Sequence, residues 1–491
     1  MDMLQWSNTN RGTSEKSYSW TDEKPLHGPG QGARTASAIW TQVSTLITPL
    51  LNQKAPGITF ADPSGNLKST RILDGFVDDT TVWANNFQQL TDNSDKQMHL
   101  DEIVEGLQKT AQWWEELLYA TGGKLELSKC FFYLLHWTFN DLGHPTLATP
   151  EEMRKEIKIR QSEDQLEVEI TQKPCQEAHK TLGIMTKPIG DSEEEHARRK
   201  LKGKEIAKSV RKAPFSHYEA DLYMRHSYNA QMNYGMVATT LSEKQLKDIE
   251  SEAVNALLNK MGYNKNMPRA VVFGPIKHGG IGMPHMFTEQ GAAQTTELLK
   301  HVRSDSPSGV MARIAINWYQ LSTGVGFDTL EEPFYKIKHA EGLWINSIRK
   351  FLRKSGLSIR GMGALIAEKR RERDTILMDA IMLNKSIVEE DAQTINCCRL
   401  YLQVECLSDI ATDGRNVDQS IFNKNEPMTT SRSHLVWPQQ EKPGPKAWKI
   451  WIRIIKQMFC KNGGYQLITR LGNGQTRKIE HGIHTMIKTP S

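Results

Sequence analysis

The stretch DGFVDDTTVW, residues Asp74–Trp83, sets two adjacent carboxylates, Asp78 and Asp79, between two short apolar runs. On an extended strand neighbouring side chains leave on opposite faces. One aspartate would then enter whatever core the strand builds, and an unpaired buried carboxylate is too costly to sit there idly. A tight turn between GFV and TVW removes the conflict, because at a hairpin tip both side chains converge on one side. Two hard anionic oxygens held together suit a divalent cation. The plain alternative is a polar hairpin tip without a ligand.

Working outward, 491 residues correspond to about two to four domains, and 38 % hydrophobic residues suffice for packed cores. Lys+Arg 62 against Asp+Glu 57 leaves a net charge of +5, too weak to argue a nucleic-acid partner by itself. Any basic surface has to be local. The cysteines at 130, 175, 397, 398, 406 and 460 form no CxxC pair, which argues against a zinc ribbon or a disulfide framework. No basic-then-apolar leader and no apolar run of about eighteen residues occurs. The expectation is an intracellular protein, nuclear or cytoplasmic, with no membrane partner.

Ahead of the hairpin, the glycine-rich GPGQGARTAS leads into AIWTQVSTLITPLL, where Ile39, Val43, Leu46, Ile47 and Leu50 recur at helical spacing. Behind it, Ile103, Val104, Leu107, Ala111, Trp114, Leu117 and Leu118 predict an amphipathic helix over about 93–121, stopped by Gly122-Gly123. KLELSKCFFYLLHWTF is β-rich. EIKIRQSEDQLEVEITQK alternates around Ser162-Glu163-Asp164 as a hairpin does, and KTLGIM reads as one more short strand.

From about residue 190 the period becomes helical. Ser192-x-x-Glu195, Ser242-x-x-Gln245 and Ser386-x-x-Glu389 have the form of capping boxes. Leu246, Ile249, Ala253, Leu257 and Met261 mark one helix face ended by Gly262, and Trp344, Ile348 and Phe351 another. Residues 411–445, with EKPGPK, read as a polar linker. A last amphipathic helix places Trp448, Trp451, Ile455 and Phe459 on one face, with Lys446, Lys449, Arg453 and Lys456 mostly off it.

GPGQGARTAS, then FVDD, then ATGGKLELSKC resembles three consecutive palm motifs of the reverse transcriptases of LINE-like (non-LTR) retrotransposons. KTLGIM and PIKHGGIGMP are similar to segments that follow the palm in that group. The resemblance covers roughly residues 17–300 and, more loosely, the chain to about 475. It implies an α+β fold. A partial right-hand polymerase palm, an antiparallel sheet with helices, would occupy 1–188, a helical thumb 189–305 and a helical C-terminal domain 306–410. The linker 411–445 and a C-terminal helix and tail, 446–491, would follow.

The same resemblance implies two-metal nucleotidyl transfer with Mg2+ or Mn2+, on an RNA template with a DNA primer and deoxynucleotides. Asp78 and Asp79 would be catalytic metal ligands, and Lys129 would lie by the triphosphate. Gly30, Gln31, Gly32 and Phe76 would lie against the nucleotide or template, since glycine lets backbone approach a base closely. Arg198, Arg199, Lys200, Lys202, Lys204, Lys208, Arg211 and Lys212, with Glu205 the one acid among them, form a strongly basic run that phosphate backbones reward through counterion release.

Such a palm also needs a third carboxylate on a strand ahead of the glycine loop. Asp2 and Asp22 are the aspartates there, and neither lies in an apolar strand. Asp74 is four strand residues from Asp78, about 13 Å away, too far to share an ion. The expectation is therefore the C-terminal part of such an enzyme, truncated and inactive alone. The alternatives are a non-catalytic nucleic-acid-binding remnant and a different metal-dependent enzyme such as a nucleotide cyclase.

Overall fold

The computed structural model describes residues 4–5, 8–9, 12–13, 18–19, 36–76, 79–84, 96–162, 164–340, 343–411, 413–420 and 435–473. These form a mixed α+β chain with small sheets. It divides into two compact units. One comprises Met1–Phe60, Lys68–Leu135 and Ala148–Glu177; the other comprises Ala61–Leu67, His136–Leu147 and Ala178–Ser491.

The first unit opens with two antiparallel pairs of two-residue strands, β1 (Leu4–Gln5) with β4 (Tyr18–Ser19) and β2 (Asn8–Thr9) with β3 (Gly12–Thr13). Helix α1 (Ala36–Lys54) follows. Then come β5 (Ile58–Ala61), which pairs with β6 (Lys68–Arg71), and the hairpin of β7 (Leu73–Phe76) and β8 (Asp79–Val82). Helix α2 (Lys96–Ala120) ends where the two glycines predict: Gly122 has φ +82° and the Gly123 N–H returns to the Leu118 carbonyl. A sheet of β9 (Phe131–Tyr133), β12 (Ile157–Arg160) and β13 (Glu167–Lys173) completes the unit, in the order β12-β13-β9.

Helix α2 is apolar on two sides, and that organises this unit. Trp114 and Leu118 pack with Ile47 and Leu51 of α1, with Ala55 just behind it, and with Ile72 and Leu73 at the base of the hairpin. Val104 packs with Phe132, Ile157, Ile159 and Ile170 of the sheet. Each such buried side chain contributes about 1.5–3 kcal/mol. The β12–β13 hairpin forms as its alternation predicts, with Ile157 opposite Ile170 and Arg160 opposite Glu167. Its outer edge is closed by glutamines of α2: Gln108 accepts from the Lys158 N–H and Gln112 from the Arg160 N–H. Strand β9 joins β13 in parallel, a pairing between segments distant in sequence.

In the second unit β10 (Trp137–Phe139) pairs with β11 (Pro145–Leu147). KTLGIM is two strands, not one: β14 (His179–Thr181) turns back into β15 (Ile184–Thr186) with Leu182 at φ +48° and Gly183 at φ +84°. Two successive left-handed residues make the primed turn that suits a hairpin. Leucine at its first position hides the signal from the sequence.

Helices α3 (Glu193–Lys212), α4 (His217–Tyr223), α5 (Asn229–Asn233), α6 (Glu243–Lys260), α7 (Arg269–Val272), α8 (Met286–Val302), α9 (Pro307–Thr323) and α10 (Leu343–Ser355) follow. A π-helical turn, Met224–Tyr228, links α4 to α5. Helices α3 to α6 enclose one core, with Leu246, Ile249, Ala253, Leu257 and Met261 buried as predicted. Helices α8 to α10 enclose another that includes Ile348 and Phe351.

Of the three expected capping boxes, Ser242 with Gln245 forms. Ser192 stands at the start of α3, but its hydroxyl accepts the Thr240 N–H, and Glu195 turns inward to two arginines. Ser386 bonds Asn384, and the helix behind it begins at Glu389. A further capping box, Ser216 with Glu219, starts α4.

Helices α11 (Leu377–Leu383), α12 (Glu389–Leu402) and α13 (Leu407–Ile410) and the last helix, Pro445–Phe459, build the final core around Trp451. Trp448, Trp451, Ile455 and Phe459 are all buried there. The described parts of 411–445 pack instead of linking. Leu435 and Trp437 are buried with Leu321, and the Gln440 amide donates to the Gly143 carbonyl. Residues 412 and 421–434 lie outside the described residues. Among the described residues no helix is long and apolar enough to cross a membrane.

Candidate functional site

The DGFVDDTTVW stretch does fold as a hairpin. Leu73 stands opposite Val82, Asp74 opposite Thr81, Gly75 opposite Thr80 and Phe76 opposite Asp79. The β-branched Thr80, Thr81 and Val82 favour the extended backbone. Ile72 and Leu73 hold the hairpin base on α1 and α2. Its other end is exposed, with Phe76 59 % accessible and Asp79 exposed beside it. Asp78 lies outside the described residues, as do Gly30, Gln31 and Gly32.

Asp74 is not a spare ligand. One of its oxygens accepts from the Arg71 guanidinium at 2.5 Å and the other from the Trp83 indole N–H at 2.8 Å. The described tip therefore offers one hard oxygen donor, the Asp79 carboxylate. Among the described residues no three His, Cys, Asp or Glu side chains converge as a metal-binding group. A Mg2+ ion keeping several waters on one or two carboxylates fits such a tip. A two-metal centre is not assembled by the described residues.

Lys129 ends a 3-10 turn, Leu127–Lys129, anchored by the buried Leu127, and its own side chain is exposed. Among the described residues no hydrogen bond or ion pair joins it to the hairpin. Its charge acts locally: the Ser128 hydroxyl first, and then Lys129 and Lys124, hold the Glu126 carboxyl below its usual value.

The basic run of α3 divides by its packing. Arg199 is buried, donating to Glu195 at 2.5 Å and to the Met232 and Tyr234 carbonyls at 2.5 and 2.6 Å. It secures the end of α5 and is removed from any phosphate-binding surface, a correction to the expectation from sequence. Arg198 grips Glu195 and the Gly183 carbonyl, and Lys200 pairs with Asp248 at 2.6 Å. Burial would raise the Glu195 carboxyl, yet Arg198, the Met185 N–H and Arg199 outweigh it and hold the value low. Arg198 is exposed although engaged by Glu195; also exposed are Lys202, Lys204, Lys208, Arg211 and Lys212. Four of these, Lys204 to Lys212, fall at i, i+4, i+7 and i+8 on the face turned away from α6.

The close approach of α6 explains that division. Gly203 faces the Ile249 carbonyl of α6, and a methyl group there would stand 2.6 Å from its oxygen. The spacing of Arg199, Gly203, Ile206, Ala207 and Val210 carries this buried face, and an apolar count alone misses it because an arginine and a glycine belong to it.

No family model, no curated protein and no solved structure matches the chain.

Proposed function

We propose that the chain carries the palm and thumb segments of an RNA-directed DNA polymerase of the LINE-like group, with Mg2+ or Mn2+ at the Asp78–Asp79 hairpin. One observation carries the reading: a helix, an aspartate hairpin and a second helix follow the glycine-rich segment in that order, and all three elements share one apolar cluster. That arrangement fixes the hairpin base rigidly and leaves Asp79 and Phe76 at an exposed end, where a primer terminus and a nucleotide would need carboxylate oxygens. The exposed lysines of α3 would bind a nucleic-acid phosphate backbone.

Nucleotidyl transfer by two ions requires ligands on both sides of the reacting phosphate. Asp78 and Asp79 form one part of such a set, so the chain by itself is expected not to extend a primer. Joined to a segment bearing an aspartate on an apolar strand ahead of Gly30, it is expected to extend a DNA primer on an RNA template, and Asp78→Ala should abolish the extension. The metal site is tested independently by Mn2+ binding to the chain, followed by paramagnetic resonance. Loss of a bound ion on Asp78→Ala with Asp79→Ala, and its retention on Asp74→Asn, supports the reading; no Mn2+ bound at the hairpin would sink it.

A second reading, nucleic-acid binding without catalysis, is favoured by the exposed basic face of α3. Salt-sensitive RNA or DNA binding that survives Asp78→Ala, with no Mn2+ at the hairpin, would select it.

A further inference from the structure

The net charge of +5 hides a strong segregation. Residues 198–212 hold eight basic residues and one acid; residues 435–473 hold seven and one, Glu441. Those two segments exceed the whole chain's positive balance, and the remainder is net acidic. The first includes α3. The second is the last helix with its flanks, which the polymerase reading leaves without a role.

The sequence of that helix, PKAWKIWIRIIKQMF, contains no acid. At 100° per residue Lys446, Lys449 and Arg453 fall on one side, opposite the side of Ala447, Trp448, Trp451, Ile454 and Ile455. The latter five are buried, Trp451 completely. Lys446, Lys449 and Arg453 are exposed, as is Lys461 in the 3-10 turn behind the helix. Arg453 reaches Asp391 at 3.0 Å while staying 61 % accessible. Surfaces of soluble proteins usually mix both signs; on this helix the exposed charges are all basic over about 10 Å of its length, with Asp391 the one acid that pairs with them, through Arg453.

We infer that the exposed basic face of the last helix, Lys446, Lys449 and Arg453 with Lys461, is a second binding surface for a nucleic-acid phosphate backbone. At about 3.4 Å of axis per phosphate on one strand, the stripe spans about three phosphates. An anionic membrane would also attract the charges. However, interfacial helices bind by burying an apolar, often Trp-bearing face in lipid, and here Trp448 and Trp451 are committed to the protein core with Ile455 and Phe459. A backbone of phosphates needs only the exposed cations. The inference does not rest on the polymerase reading.

The test is binding of the full chain to fluorescent single-stranded RNA, single-stranded DNA and an RNA–DNA hybrid, by anisotropy over a range of salt concentrations. The variant carries Lys446→Gln, Lys449→Gln and Lys461→Gln; all three sites are exposed, and circular dichroism checks its fold. Three lost contacts at about 0.7 each should lower the log–log salt slope by about two and weaken binding about fifty-fold at 0.15 M salt. The three nucleic-acid arms show which backbone is preferred, and the matching Lys→Arg variant should keep the slope.

An unchanged slope in the glutamine variant overturns the inference, and so does failure of the unaltered chain to bind any of the three. A loss seen only with Lys204→Gln, Lys208→Gln and Arg211→Gln assigns binding to α3 alone and overturns it too, leaving the polymerase reading intact. Binding to phosphatidylcholine–phosphatidylserine vesicles that the glutamine variant loses, with nucleic-acid binding untouched, overturns it in favour of lipid. Loss of Mn2+ binding at the hairpin bears on the polymerase reading only.

Discussion

Gly106 and Gly203 both lie inside long helices, α2 and α3, and replacing each by alanine is expected to act in opposite directions. In a helix interior alanine is favoured over glycine by about 0.5–1 kcal/mol, because glycine loses more backbone freedom on folding. At Gly106 a methyl group meets nothing within 4 Å, so this gain is realised. At Gly203 it would stand 2.6 Å from the Ile249 carbonyl oxygen, a backbone atom that cannot rotate away. Helices α3 and α6 would have to separate around Ile206, Val210, Leu246 and Ala253. Overpacking of this kind costs about 1–3 kcal/mol, which outweighs the propensity gain and leaves a net loss of about 1–2 kcal/mol.

At about 2–4 °C per kcal/mol for a unit of 150–250 residues and about 1–2 °C for one as long as the second unit, Gly203→Ala should lower the melting transition of the second unit by about 1–4 °C. Gly106→Ala should raise that of the first by about 1–4 °C. Calorimetry gives the shifts, and hydrogen exchange over α2 and α3 assigns each transition to its unit. A stabilising Gly203→Ala would refute the close α3–α6 approach, and with it the division of the basic run into buried and exposed members.

Burial pushes the Glu250 carboxyl up to about 7 from 4.5, against the Met286 N–H, Arg269 and Lys247, which lower it. The neighbouring His285, 3.9 Å away, is itself lowered by burial and does not pair as a cation at neutral pH. Between pH 4.5 and about 7 the folded state keeps a proton that the unfolded chain has lost, so stability falls as pH rises through that window. Glu250→Gln should therefore stabilise the chain at pH 8, by about 3 kcal/mol at most, and by much less at pH 5; equal gains in urea midpoints at both pH values would contradict this. Arg199→Ala should destabilise by about 3–5 kcal/mol, as removal of a buried ion-pair partner does. Lys204→Gln with Lys208→Gln should leave stability within about 0.5 kcal/mol and weaken nucleic-acid binding; an Arg199→Ala chain that melts normally but fails to bind would reverse the two roles. Leu182→Asn should stabilise the β14–β15 turn by roughly 0.5–1 kcal/mol, since asparagine tolerates a positive φ better than leucine, and an unchanged or lower urea midpoint would argue against that turn.

Much of the secondary structure is local and was therefore readable. Helix α6 and the last helix repeat their apolar residues at helical spacing, and Gly122 and Gly262 stop α2 and α6 with positive φ. The β7–β8 and β12–β13 hairpins announce themselves through paired β-prone runs. The candidate site was legible as a hairpin but not in register: the runs GFV and TVW place both aspartates in the turn, whereas Asp79 is the first residue of β8 and stands opposite Phe76. That Asp74 is consumed by Arg71 and Trp83 was not legible either, because it depends on where two other side chains point. Charge misled in the same way. Arg199 and Lys204 look alike in a basic run, but one sits under the end of α5 and the other faces solvent.

By itself, then, the sequence determined periodicities, the glycine stops of α2 and α6, one capping box, and the order of a glycine-rich segment, a helix, an aspartate hairpin and a second helix, all of which depend on residues within a few turns of one another. The tertiary structure decided which charges remain at the surface. It also decided that Leu435 and Trp437 belong to a core, that β9 lies parallel to β13, and that two helix glycines are not equivalent. Each of those outcomes is set by an atom contributed from far along the chain, such as the Ile249 carbonyl that meets Gly203, and the energy of burying or crowding a group is defined only once that neighbour is in place.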